Sequence, residues 1–160
     1  MAISNHERFI YSPRNLAKGF VQVSSDIVDT PSTQLEVKWY RSHFVDLQIW
    51  LSKENKVIRQ QFSFMGTVVE WNHIQGIKTG MVEDIKSQSE KRSWSVKIIY
   101  DESYIEENLE QAMEVLNHCI PFAEKDEVIK NFENNPTLTR WQSAKLIFRH
   151  FFNKNAKNKK

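Results

Sequence analysis

Five histidines, one cysteine and twenty carboxylates are the groups with which this 160-residue chain could do chemistry. Their spacing assembles none of the usual reactive sets. His6, His43, His73, His118 and His150 are scattered, and none stands four residues from another histidine or beside a carboxylate at metal-ligand spacing. Cys119 follows His118 directly. Neighbours on a helix point about 100° apart, so the two make a poor nucleophile–base pair, and Cys119 reads as a small core residue at a helix end. Glu83 and Asp84 are adjacent carboxylates in a stretch that reads as a solvated loop. The chain has no GxxxxGKS/T phosphate loop, no GxGxxG turn, no HExxH helix, no GxSxG elbow and no EF-hand loop. A lone cysteine excludes an intrachain disulfide framework and a multi-cysteine zinc site, and fits a reducing compartment. No metal and no cofactor is expected. Whether the chain is an enzyme stays open, with the balance toward none.

A different constellation stands out. Val45, Leu47, Ile49 and Leu51 form the cleanest apolar alternation in the chain, which leaves Phe44, Asp46, Gln48 and Trp50 on the opposite side of the same strand. Large aromatics interleaved with polar groups suit a shallow ligand groove. Trp39 and Trp71 on nearby strands could join it, with Gln61 if its strand turns that way. The candidate binding patch is therefore Trp39, Phe44, Asp46, Trp50, Gln61 and Trp71. The structural alternative is that Phe44 and Trp50 pack under the N-terminal arm and Asp46 pairs with Arg41 or Lys38.

The elements that position these residues follow from periodicity. From about Leu16 to Tyr100 the apolar period is near two: Val21 and Val23; Leu35, Val37 and Trp39; Val45 to Leu51; Ile58, Gln60, Phe62 and Phe64; Val69, Trp71 and His73; Trp94, Val96, Ile98 and Tyr100. A polar turn at 53–56 and a turn at Met65-Gly66 separate neighbouring runs, as in an antiparallel meander of about five to six strands. After Tyr100 the period changes. Ile105, Leu109, Ala112, Met113 and Leu116 share one face of a helix. Ser103 with Glu106 reads as its capping box. A short helix from about Lys125 to Glu133 buries Val128, Ile129 and Phe132, and a third runs from about Thr139 to Asn153. Strands followed by helices predict an α+β fold, with two to three C-terminal helices packed on one face of the sheet. The domain reading is an irregular arm over 1–15 with Pro13 as a breaker, a single domain over 16–152, and a disordered basic tail over 153–160.

A chain of this length can bury about 70% of its surface, enough for a core without staples. Hydrophobic residues at 40% and charged residues at 26% are an ordinary globular balance, and 10 Phe, 5 Trp and 4 Tyr exclude a wholly disordered chain. The formal net charge of +2 hides a polarity. Residues 137–160 carry seven basic side chains and no acid, so the remainder, with 22 − 7 = 15 basic and 20 acidic residues, is net −5. Nine acids face two lysines within 102–133. The third helix carries Trp141, Ile147, Phe148 and Phe151 with flanking basic residues, the pattern of a core-packing terminal helix and equally of a surface-docking one. Arg149, Lys154 and Lys157 are its candidate binding residues. Met1 to Ser12 hold no apolar run of the length a secretory signal needs, and no stretch approaches 18 apolar residues. The expected location is the cytoplasm.

Trp39-Tyr40-Arg41, then Asp46-Leu47 and Trp50, then Ile58 to Gln61, Trp71, Val82-Glu83-Asp84, and Val96 to Asp101 opening a helix together resemble an uncharacterised group of small bacterial proteins. Its pattern runs WYxxxxxDLxxW, IxxFQ, Trp, VDD and a short apolar strand ending in a carboxylate. The resemblance covers roughly residues 37–116. Gln60 stands where the pattern has Phe, Glu83 replaces the first Asp of VDD, and 137–160 lies outside. It implies a single α+β unit and a bacterial source, singles out Asp46, Trp50, Gln61 and Trp71, and carries no activity.

The leading functional reading is a non-enzymatic protein-binding module, an adaptor or accessory subunit, because Trp, Tyr, Phe and Arg supply interface anchors. The alternative is a small-ligand-binding or hydrolytic domain around Asp46. A third reading is an anionic-surface binder, membrane or nucleic acid, through the basic C-terminal helix. The net −5 of residues 1–136 argues against nucleic acid, and basic residues are not expected to cluster with the sheet aromatics.

Overall fold

Period-two alternation becomes seven consecutive antiparallel strands in the computed structural model, which describes residues 12–23, 35–83 and 97–134. The strands are β1 (Val21–Gln22), β2 (Glu36–Arg41), β3 (Val45–Leu51), β4 (Val57–Phe64), β5 (Thr67–Asn72), β6 (Gly76–Glu83) and β7 (Lys97–Tyr100). They lie in the sheet in chain order. A one-turn helix α1 (Pro13–Leu16) precedes them, and α2 (Glu106–His118) and α3 (Lys125–Glu133) follow. The architecture is the α+β meander expected, with one strand more than the sequence suggested. Residues 139–160, with Arg149, Lys154 and Lys157, lie outside the described residues.

Turn chemistry explains the hairpins. Met65 and Gly66, between β4 and β5, both take positive φ (50° and 80°). That is the primed turn whose twist matches the strands it joins. Asn55, with φ of 58°, turns the β3–β4 connection. Pro13, read as a breaker, instead opens α1: Ser12 accepts the Asn15 amide at 3.4 Å, and proline loses nothing at a first helical position, where its missing N–H would be unpaired.

Among the described residues the helices cover one face only. Val45, Leu47, Ile49 and Leu51 of β3 and Phe62 and Phe64 of β4 are buried beneath Leu109, Ala112, Met113 and Leu116 of α2 and Val128, Ile129 and Phe132 of α3. Strand β4 departs from strict alternation. Leu51 pairs with Val57 while Trp50 pairs with Arg59, so Ile58 is an extra residue in a bulge. Val57, rather than Ile58, joins Gln60, Phe62 and Phe64 in the buried set.

Polar bolts fix the helices to the sheet. Gln60, fully buried, donates from Nε2 to the Val128 carbonyl (2.8 Å) and accepts from Asn131 Nδ2 (3.0 Å). Glu127 accepts the Val57 amide at 2.9 Å. Glu124, in the α2–α3 connection, takes Lys38 Nζ at 2.6 Å and the Tyr40 hydroxyl at 2.8 Å. Burial alone would raise the Glu124 carboxyl, but those two hydrogen bonds outweigh it and hold it below the usual range. Burial, reinforced by Glu124, pushes the Tyr40 hydroxyl well above its ordinary value. Thr79 replaces the expected Ser103–Glu106 capping box. The cap of α2 is Ile105, which makes no side-chain cap bond. Its amide is taken by Thr79 Oγ1 at 2.8 Å, while the Thr79 hydroxyl donates to Asp101. A sheet hydroxyl thus satisfies one of the orphan donors at the helix start. No helix among the described residues is long and apolar enough to cross a membrane.

Candidate functional site

Pairing register decides what the uncovered face carries. Opposite residues in an antiparallel sheet share a face. Trp39 pairs with Gln48, Gln48 with Gln61, Gln61 with Glu70 and Glu70 with Lys78, making one row across five strands. Trp50, Arg59 and Asn72 form a second row, and Arg41, Asp46, Ser63, Val68, Gly80 and Tyr100 a third. Four of the six expected patch residues, Trp39, Asp46, Trp50 and Gln61, therefore share the face that the described helices leave uncovered, on which Val68 and Glu70 are themselves buried.

Two residues do not join them, and these are corrections. Trp71 pairs with Gln60 and Ile77, both buried on the helix side, and packs against the core from that face. Phe44 sits in the β2–β3 turn, where strand alternation no longer applies. Its ring packs against the core and meets His43 edge-on at 4.5 Å.

Each uncovered tryptophan is capped by an arginine, and each arginine is held by a carboxylate. The Arg41 guanidinium lies 4.5 Å from the centre of the Trp39 ring, and Asp46 Oδ1 accepts from both Arg41 Nε (2.7 Å) and Trp39 Nε1 (3.0 Å). The Arg59 guanidinium lies 4.4 Å from the Trp50 ring and donates to Glu70 Oε2 at 2.9 Å. The Tyr100 hydroxyl donates to the same oxygen at 2.6 Å, and Lys78 Nζ lies 5.5 Å from the Tyr100 ring. Burial, then the hydrogen bond to Glu70, pushes the Tyr100 hydroxyl up to about 12. Cation–π contacts of this kind are each worth about 0.5–1 kcal/mol at exposed sites. Their larger effect here is to hold long arginine side chains in one geometry.

The Asp46–Arg41 pairing that sequence offered as a structural alternative is thus formed, and it belongs to the face rather than competing with it. Arg59, Glu70, Lys78 and Tyr100 were missed. Parity along each strand plus the register of its neighbour would have found them, because each stands level with a residue already on the face. Basic and aromatic side chains are interleaved after all, but Asp46 and Glu70 neutralise two of the three cations.

Beside Asp46 the face dips into an open depression of about 620 Å³ lined by Lys18, Gly19, Val21, Arg41, Ser42, His43 and Asp46. Among the described residues no three His, Cys, Asp or Glu gather to hold a metal ion. Cys119 is buried. No family model, no curated protein and no solved structure matches the chain.

Proposed function

We propose that the chain is a non-enzymatic protein-binding module whose contact surface is the uncovered sheet face. The observation that carries this reading is the pair of stacked units Trp39–Arg41–Asp46 and Trp50–Arg59–Glu70, half-buried and preorganised beside two central glutamines. Tryptophan and arginine dominate interface hot spots. Ordering them before binding lowers the entropy lost on association. Charges already neutralised within the face favour a protein surface over a phosphate backbone, which draws its affinity from unpaired cations. The reading needs no cofactor; the single cysteine supports a cytoplasmic setting, and the motif resemblance supports a bacterial source.

The test compares the immobilised full chain with its Trp39→Ala/Trp50→Ala double variant in capture from a host lysate, followed by calorimetry with the purified partner. A protein retained by the wild type and bound at least tenfold more weakly by each single tryptophan variant is the expected result. Identical capture by wild type and double variant sinks the reading. The depression beside Asp46 supports a second reading, a small polar ligand held around Asp46 with Arg41, Ser42 and His43. Saturable binding of a small molecule that is lost in Asp46→Ala, with no protein captured, would favour it. Membrane or nucleic-acid binding through residues 137–160 is an independent proposal, tested by deleting them.

A further inference from the structure

We infer that β7 is a pairing edge for a second copy of this chain, joining two sheets about a two-fold axis at Ile99. Strand β7 pairs with β6 and with no other described strand. The Asp101 amide donates to the Thr79 carbonyl on β6 (2.9 Å), whereas the Val82 amide is turned toward β5 and donates to Gly66 (2.8 Å). Amides and carbonyls alternate sides along an antiparallel strand. Residues 97, 99 and 101 therefore spend theirs on β6, and Ile98 and Tyr100 direct theirs outward. The helix-side surface at this edge is apolar and open: Ile99 is 51% exposed and its cross-strand neighbour Met81 is 62% exposed.

The strand is complementary to itself in one register. A two-fold pairing centred on Ile99 sets Ile99 against Ile99 of the second copy, Ile98 against Tyr100, and Lys97 against Asp101. Three independent requirements are met together. Like faces meet, because each pair joins residues of the same parity. The outward backbone groups meet, because Ile98 and Tyr100 are the residues that carry them and would exchange four hydrogen bonds over the two halves. Opposite charges meet, because Lys97, which also pairs with Glu83 on β6, lies across from an aspartate. The edge has two central isoleucines and no proline, and although it is short and opens on a lysine, that lysine finds an aspartate in this register; a closed two-fold pair removes the β7 edge. The pairing would extend the uncovered face across fourteen strands, with Ile98 and Tyr100 at the seam. It does not depend on what that face binds.

Light scattering coupled to size exclusion on the full chain tests the inference. The expected wild-type mass is twice the 19.0 kDa of the chain. Ile99→Lys opposes two ammonium groups at the axis, and Ile98→Pro removes an outward amide without touching the β6 ladder. Both should run as monomers with unchanged far-ultraviolet dichroism. Ile99→Cys reads the register: Cα atoms of a non-hydrogen-bonded pair lie about 4.5 Å apart, so it should crosslink under mild oxidation, while buried Cys119 should not. A monomeric wild type, a mass rising past two chains with concentration, or a dimer indifferent to Ile99→Lys each overturns the pairing.

Discussion

Glu133, at the last position of α3, is buried to 7% exposure, and its Oε1 has no hydrogen-bond partner. Burial pushes its carboxyl up from an ordinary 4.5 to about 7. The folded state therefore holds this proton more tightly than the unfolded chain does. Below pH 4.5 both states are protonated and the residue costs nothing. Between 4.5 and 7 the unfolded chain ionises first, and stability falls by about 1.4 kcal/mol per pH unit. Above 7 the loss levels off near 3 kcal/mol on this arithmetic. Glu133→Gln mimics the neutral form at every pH. The variant and wild type should be nearly equal in stability at pH 4.5, and the variant should gain through neutrality to about 3 kcal/mol at pH 8. For a chain of this size that is roughly 6–12 °C in melting temperature. Thermal melts of both proteins from pH 4.5 to 8 measure the difference directly, because every other titrating group cancels. A difference that stays flat with pH, or a variant less stable than wild type at pH 8, refutes the reasoning that burial governs this carboxyl.

The sheet supplies two further tests. A Cβ on Gly80 would lie 2.4 Å from the Ile99 carbonyl oxygen, a backbone atom that can move only if β7 does. Gly80→Ala should cost about 2 kcal/mol or more and sharply speed hydrogen exchange of the amides that β7 turns toward β6, and it should weaken any dimer formed through that strand. Unchanged exchange at Ile99 and Asp101 would show that the close approach is not needed. Gln60→Leu removes the two bonds that Gln60 makes to α3 and leaves the Asn131 amide without its acceptor; a loss of about 2–3 kcal/mol is expected in denaturant titrations, and a neutral result would mean that packing and the Glu127–Val57 bond suffice to seat α3.

Much of this was legible because one physical signal dominated. Strands β3 and β4 announce themselves by alternation, and α3 has both boundaries where Val128, Ile129, Phe132 and the following Asn134-Asn135-Pro136 set them. What was illegible depended on partners distant in sequence. Ser103 and Glu106 have the spacing of a capping box, but Thr79, 26 residues before Ile105, takes the amide instead. Trp71 alternates as correctly as Trp39 does, yet alternation never says which face is which. Only the pairing of Trp71 with Gln60 assigns it to the helix side, and that pairing passes through a bulge at Ile58 that shifts the parity of β4. Alternation does set Gln60 on the face of Phe62 and Phe64, but only a helix carbonyl and an asparagine from α3 show how its amide is satisfied there.

The uncovered face follows from the same bookkeeping of polar groups. A sheet with one solvated face would ordinarily alternate apolar with small polar residues. Here the side turned away from the described helices keeps two tryptophans and a tyrosine, whose rings are apolar, beside a buried Val68. Arg41, Arg59 and Lys78 cover them from within the sheet, and Asp46 and Glu70 anchor the two arginines. If these units served solubility alone, Trp39→Ser/Trp50→Ser should leave the protein soluble and no less able to hold its partner, since the arginines would remain. If they are binding anchors, the same variant should stay folded on its helix-side core and lose the partner. The second outcome is expected, because Glu70 is buried at 7% exposure and spends its carboxylate on Arg59 and Tyr100. Desolvating a carboxylate to position an arginine over a ring is costly, and solubility would be achieved more cheaply by a free surface charge.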